Sequence, residues 1–292
     1  MSPRSIKLIQ ITLSVLFVLT ISFFVVKGCV QKKAVRYRQE THRPSVQKKT
    51  VQKKTVSKKE AAGTAAVSQE AYTGPRMAII LDDWGNNYSL VKPAIDLQRP
   101  ITLSILPHLP QSEKIAEEAF QNNLGVMLHM PMQPKNRTKG LEPHTILIAT
   151  PDQDIISFLD KALESVPHVD GVNNHMGSAA TSDIRVMKTV LSHLKSKGLF
   201  FIDSNTSSST VAPQVAEELG IKFAKRDVFI DNDPNLELIK KQLEKAKQIA
   251  LKHGRVVVIG HDKKMTLLAI KEMIPEIELA GVRLVLAKEL VE

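Results

Sequence analysis

Asp82 and Asp83 stand side by side at the end of an apolar run, residues 77–81, and are followed by Trp84 and Gly85. Adjacent carboxylates repel each other, and a cation or proton between them relieves the repulsion. An Asp-Asp-x-Gly turn is the plainer use of the same residues. The pattern recurs, however. His108 follows the apolar run 101–106, His129 follows 125–128, and Asn174 and His175 follow 169–172. Asp203 follows 199–202, Asp231 follows 221–230, and His261 follows 255–259. One carboxylate and two neutral imidazoles on a divalent, zinc-like ion leave a position open, the arrangement of a catalytic rather than a structural site. Such an ion lowers the pKa of water bound there. A second carboxylate can then serve as general base, and a histidine across the site as general acid. Strand alternation should point Asp82 and Asp83 in different directions and so divide the two carboxylate roles between them. Trp84 is either a wall on which a sugar stacks or a packing residue. A two-carboxylate glycosidase is a further use of the same residues. It would need Asp203 or Asp231 as the partner, at a separation of roughly 5–9 Å.

These residues need elements to hold them. Between the apolar runs lie helical patterns at 88–97, 111–122, 152–165, 183–197, 211–219, 236–253 and 265–278, with a last strand at 282–286. In the second helix the periodicity places Ile115, Ala119 and Phe120 inward. Seven or eight strand–helix units predict a parallel sheet closed as a distorted barrel of about seven strands, in the α/β class. In such a barrel the C-terminal strand ends share one face, so the carboxylates and histidines above would meet on one rim. His168, His193 and His253 fall on helix faces or ends and are expected to be structural.

The remaining sequence is of a different kind. Residues 8–26 carry no charge over nineteen positions and are preceded by Arg4 and Lys7, which predicts a membrane anchor within 1–26. Residues 27–75 contain the repeats Val46-Gln47-Lys48-Lys49-Thr50 and Val51-Gln52-Lys53-Lys54-Thr55, too polar to bury a core, and are expected to be a disordered basic linker. The chain carries +10 overall, but its first 75 residues carry +11, leaving −1 for residues 76–292. A nucleic-acid-binding domain would carry its basic footprint on the fold itself, so nucleic acid is excluded as a partner. The basic tract suits an anionic membrane or wall surface. Lysines and arginines after the apolar segment argue for a cytoplasmic C-terminal side, yet long domains cross membranes largely regardless of charge. The expected placement is a single-pass inner-membrane anchor with the domain in the periplasm. Cys29 is the only cysteine, so no intrachain disulfide forms. There is no Gly-rich phosphate loop, GxSxG elbow or CxxC pair, and nucleotide and thiol chemistry lack support.

From Met77 to about Leu290 the chain resembles the divergent polysaccharide deacetylases, relatives of the carbohydrate esterases built on the NodB-type distorted barrel. The likeness rests on Ile79-Ile80-Leu81-Asp82-Asp83, on Leu128-His129-Met130-Pro131-Met132 and on Gly171-Val172-Asn173-Asn174-His175-Met176-Gly177-Ser178. It extends through Phe200-Phe201-Ile202-Asp203-Ser204, Arg226-Asp227-Val228-Phe229-Ile230-Asp231-Asn232 and Ile259-Gly260-His261. The resemblance implies Asp82 as general base, His261 as general acid and Asp203 as the residue that holds a catalytic partner. It implies a divalent metal, zinc first, on Asp83, His129 and His175, with Asn174, Trp84 and Arg226 at the substrate and oxyanion. Polysaccharide deacetylases take both histidine ligands from one His-x-x-x-His motif; here Gln133 stands four residues after His129, so His175 is expected to supply the second ligand. Their Arg-Pro-Pro-Tyr-Gly loop is replaced by Asn173-Asn174-His175. The implied activity is removal of N- or O-acetyl groups from a carbohydrate polymer of the cell envelope. The alternative is a catalytically degenerate domain that binds glycan or protein.

Overall fold

The computed structural model describes residues 72–136 and 140–292. The expected membrane span and most of the linker lie outside them. Among the described residues no helix is long and apolar enough to cross a membrane.

The hydrophobic run expected at 77–81 is the middle of β1 (Arg76–Trp84), buried along nearly its whole length. It pairs in parallel with β2 (Ile101–Ile105) on one side and with β8 (Arg255–His261) on the other. Beyond β2 come β3 (Gly125–Met132), β4 (Gly171–Met176), β5 (Phe200–Asp203) and β6 (Phe223–Lys225); beyond β8 lies β7 (Val228–Phe229). Every pairing is parallel. The outermost strands β6 and β7 are successive halves of one segment, expected from its sequence to be a single strand. Its first half bonds to β5 and its second to β8; Arg226 N donates to Asp203 O and Asp227 N to Val257 O, both at 2.9 Å. The sheet therefore curls back on itself, and the pattern expected of a distorted barrel is met. A short β9 (Arg283–Val285) pairs with Arg76–Ala78 of β1, just below the point where β2 takes over at Ile79.

Helices α1 (Val91–Ile95), α2 (Ser112–Gln121), α3 (Asp152–Ser165), α4 (Ile184–Ser196), α5 (Ala212–Leu219), α6 (Leu236–His253) and α7 (Lys264–Leu279) connect the strands. Side-chain alternation along the strands splits the core in two. Met77, Ile79 and Leu81 of β1, with Val256 and Val258 of β8, face outward and pack with the helices. Ala78 and Ile80, with Met127, Phe200, Ile202, Ala224, Val257 and Ile259, line the inside of the curled sheet. Asn235 caps α6, accepting from Glu237 N and Leu238 N, and Gly254 ends it with φ +78°, a left-handed conformation that glycine adopts without strain.

Three expectations are corrected. Phe120 is not buried: α2 buries Ser112, Ile115, Ala116 and Ala119, and Phe120 lies a further 100° around the helix, where it is 55% exposed and stacks on His168. Strands β3, β4 and β8 run past their apolar stretches to Met132, Met176 and His261, so His129, Asn174, His175 and His261 are strand residues rather than loop residues. The domain also reaches back before residue 76. Tyr72 donates its hydroxyl to Gly281 O at 2.6 Å, and Arg283 N donates to Pro75 O at 2.9 Å.

Candidate active site

The inner apolar layer fixes which polar residues meet. Two residues beyond Ile80, Met127, Ala224 and Ile259 along the chain come Asp82, His129, Arg226 and His261, which alternation turns toward the same interior at the C-terminal end of the sheet. On β4, Asn173 and His175 share one face and Asn174 takes the other. Asp83 joins them through a break in the ladder. The register of β1 against β2 shifts between Leu81 and Trp84, and Asp83 has φ +67°, a left-handed conformation uncommon for a non-glycine residue. Both carboxylates thereby reach the same histidine, and the expected division by simple alternation is corrected. Asp82 Oδ2 lies 3.7 Å and Asp83 Oδ1 3.3 Å from His129 Nε2.

Asp83 Oδ1, His129 Nε2 and His175 Nδ1 form a triangle with sides of 3.1–3.3 Å. Ligands held about 2.0–2.1 Å from a tetrahedral zinc ion lie about 3.3 Å apart, so the triangle matches one face of such a site. Asp83 Oδ1 is shielded from solvent and meets only the two histidine ring nitrogens, as an atom reserved for an ion would. The surroundings fix the histidines for that use. Asn173 Nδ2 donates to Asp82 Oδ1 at 2.9 Å, and since a carboxylate only accepts, the amide oxygen must face the other way. That oxygen accepts from Ser104 Oγ at 2.6 Å and from His129 Nδ1 at 2.7 Å. His129 thus keeps its neutral-state proton on Nδ1 and turns the Nε2 lone pair to the triangle. Glu142 Oε1 stands 3.5 Å from His175 Nε2, at ion-pair distance on that ring's outer side.

The electrostatics divide the two acids. Burial pushes the Asp82 carboxyl up, more than His129 and Asn173 pull it down. Burial also acts on Asp83, but hydrogen bonds to His129 and His175 outweigh it and hold that carboxyl far below the usual range. Environments that push paired acids apart mark one as proton acceptor and the other as permanent anion. Burial would lower His129, yet Asp82, Asp83 and Asn173 together push it up to about 9. Without an ion this imidazole holds a second proton up to that pH, and metal must displace it. Zinc affinity of the chain is therefore expected to rise steeply, up to about tenfold per pH unit, from neutral pH toward about 9, with about one proton released per ion; calorimetry in buffers of different ionisation enthalpy measures both.

Across the triangle, His261 Nδ1 lies 2.8 Å from Asp231 Oδ1, and Asp231 Oδ2 accepts from His261 N at 2.9 Å and from Thr266 Oγ1 at 2.7 Å. Burial opposes both charges. The pairing nonetheless lowers the buried Asp231 and raises His261. His261 Nε2 faces inward, 3.7 Å from Asp83 Oδ2.

Residues 79–291 match the sequence model of the divergent polysaccharide deacetylases. The chain belongs to that family. It is 30% identical over 213 residues to the uncharacterized protein YibQ of Escherichia coli, covering 73% of this chain and 66% of that one, so it spans about two thirds of that relative's length. A Haemophilus influenzae protein is 30% identical over 204 residues, 70% of this chain and 72% of its own. An uncharacterized Agrobacterium tumefaciens protein of solved structure has the same fold, with a TM-score of 0.72 at 20% identity over 76% of this chain and 91% of that one.

Within this deacetylase fold the structure places the expected residues unequally. It brings Asp82, Asp83, His129, His175 and His261 together. Arg226 lies on the same interior and its charge acts on Asp82, but its Nε and a terminal nitrogen are spent on Ser204 O and Asn205 O at 2.6 and 2.9 Å. Asn174 does not serve as an oxyanion donor: its Nδ2 donates to Met176 O at 2.6 Å and its Oδ1 accepts from Ser204 N at 2.9 Å, on the opposite face of β4. Trp84 is no sugar wall, because the register shift turns it outward, where it is fully buried in the helix-packed core. Asp203 holds no catalytic partner; it shares the outward face of β5 with Phe201 and accepts from Asn205 N and Thr210 Oγ1, each at 2.7 Å. Asp231 orients His261 in its stead. His108 is exposed beside His144, outside the group. Gln133, where a second ligand would complete His-x-x-x-His, instead accepts from Ile148 N at 2.7 Å and pins the loop after β3.

Asn173 and Asp262 join the group without having been assigned roles from sequence, and Asp231, weighed there only as a glycosidase partner, joins it by holding His261. Ser204 follows the inward-facing Ile202 by two residues and has a buried hydroxyl with no partner among the described residues. Asp262, next to His261, is pushed up to about 7 by burial and then by Asp83. The signal for Asn173 and Ser204 was the period of two along the strands.

Proposed function

We propose that this chain is a metal-dependent hydrolase that removes acetyl groups, on nitrogen or oxygen, from a carbohydrate polymer. The observation that carries the reading is the meeting of the Asp83–His129–His175 triangle, the proton-accepting Asp82 and the Asp231–His261 pair in one interior. Asp83, His129 and His175 would hold a divalent ion, and the mixed oxygen and imidazole donors favour zinc. Such an ion supplies a Lewis acid and a water of lowered pKa. Asp82 accepts the proton of the attacking water through Oδ2, since Oδ1 is held by Asn173. As the water oxygen bonds to the acetyl carbon, the bond from that carbon to the sugar nitrogen or oxygen breaks. His261 Nε2, its other nitrogen held by Asp231, gives the leaving atom its proton. The unpartnered Ser204 hydroxyl is assigned as the donor to the acetyl oxygen in place of Asn174.

A family whose name refers to polysaccharide supports the substrate class. The apolar segment 8–26 supports an envelope polymer reached from an inner-membrane anchor, with the domain on the periplasmic side. Zinc-loaded full chain is expected to release acetate from N-acetylated or O-acetylated oligosaccharides, roughly 10²–10³-fold more slowly after Ser204→Ala. Tight oligosaccharide binding without any acetate release would favour the degenerate binding domain instead.

A further inference from the structure

The loop after β5 reads Asn205-Thr206-Ser207-Ser208-Ser209-Thr210, and it packs beside the end of β4 through Thr206 Oγ1, which donates to Met176 O at 2.9 Å. Lys135, from the loop after β3, reaches across to it. Its Nζ donates to Ser207 Oγ at 3.2 Å and to Ser209 Oγ at 2.8 Å, and its backbone N donates to Ser178 Oγ at 2.9 Å. Ser182 Oγ closes the group, donating to Ser178 O at 3.0 Å and lying 3.4 Å from Ser207 Oγ.

The hydrogens of this cluster do not balance. The Lys135 ammonium has three, and two go to serine oxygens that are already acceptors. The Ser178 hydroxyl accepts from Lys135 N and has no acceptor of its own among the described residues. At least two donors, the third ammonium hydrogen and the Ser178 hydroxyl, are left over beside a full positive charge. Lys135 is exposed, no carboxylate lies within ion-pair distance of it among the described residues, and two serine hydroxyls hold its ammonium in place. A loop staple needs only the two bonds to serine; surplus donors and an unneutralised charge suit an oxyanion.

The position gives that anion a place in the reaction. Ser178 follows His175 by three residues, so its Cα lies at most about 11 Å from the Cα of that member of the triangle. We propose that Lys135, with Ser178, Ser207 and Ser209, forms a subsite for an anionic oxygen group, carboxylate or phosphate, on a sugar next to the acetylated one. The inference rests on the hydrolase reading for its substrate and narrows it to an acidic acetylated glycan.

The test is calorimetric binding to the full chain in the presence of chelator, so that turnover plays no part. The probes are an acetylated oligosaccharide bearing carboxylates, its methyl ester in which those carboxylates are neutral, and a phosphate-bearing counterpart. Charge-assisted hydrogen bonds of this kind should make the wild-type chain prefer an anionic form over the ester by roughly 10- to 100-fold in Kd. Lys135→Gln should abolish that preference while leaving the Kd for the ester unchanged, and Lys135→Arg should retain most of it. The stronger of the carboxylate and phosphate forms identifies the source of the oxyanion. No preference in the wild-type chain, or an equal preference in Lys135→Gln, overturns the subsite. Preference without acetate release in any assay would overturn the hydrolase reading and leave the subsite standing.

Discussion

Replacing His129 with alanine is expected to abolish stoichiometric zinc binding and to destabilise the metal-free chain by roughly 3–5 kcal/mol. Both effects follow from its position. His129 is 3% exposed and lies between the Asp82 and Asp83 carboxylates; its protonated ring is their nearest cation. Removing it takes the closest imidazolium from the buried Asp82 and the half-buried Asp83 and leaves only the more distant His261 and Arg226 charges, the costly way to break a buried pair. It also removes one corner of the ligand triangle, a larger loss than the 10- to 100-fold that absence of an outer partner costs. Asp83→Asn separates the two effects: it removes the anionic ligand and relieves the repulsion between acids, so zinc is lost while the fold is largely kept. Chemical denaturation and zinc titration of both variants check this. A His129→Ala chain as stable as wild type would show that the acids are not paired through that ring.

His261→Ala is expected to lower kcat for acetate release by about 10²–10⁴, the usual contribution of a positioned general acid, with zinc content unchanged. Asp231→Asn should act through the same histidine. Asp231 holds the His261 proton on, raising its pKa against burial. A general acid works only while protonated, so activity falls as pH rises through that pKa. Without the Asp231 charge the alkaline limb of the pH–rate profile moves to lower pH, and kcat falls near neutrality. A loss of rate with an unmoved alkaline limb would assign Asp231 to folding alone.

The strands were legible in sequence because each carries an apolar run, but their ends were not. Backbone pairing does not need apolar side chains, so β3 and β4 continue through Met130↔Asn174 to Met132↔Met176 after the hydrophobic signal has stopped. Reading β4 as ended at Val172 left Asn174 and Asn173 equivalent. Extending it by alternation puts Asn173 with His175 and Asn174 opposite. Asp203 and Asp231 both follow an isoleucine, and no local feature separates them. Ile202 faces inward and Asp203 outward, whereas Ile230 faces outward and leaves Asp231 turned to His261. That reversal arises at the bend between β6 and β7, which exists because the segment changes partners. The irregularity at Asp82 and Asp83 had the same effect on Trp84: simple alternation puts it with Asp82, and the shifted register puts it in the outer core. The meeting of Asp83, His129 and His175 was legible in outline, because acids and histidines at successive strand ends share one rim, while the choice of these three came from the family resemblance.

The most direct measurement is the metal content of the purified full chain by elemental analysis, beside Asp83→Ala and His175→Ala. One zinc or other divalent ion per wild-type chain, absent from both folded variants, is the predicted result. A folded wild-type chain that holds no ion when offered zinc near pH 8, or variants that retain it in full, would contradict the metal site and leave the interior as a binding surface.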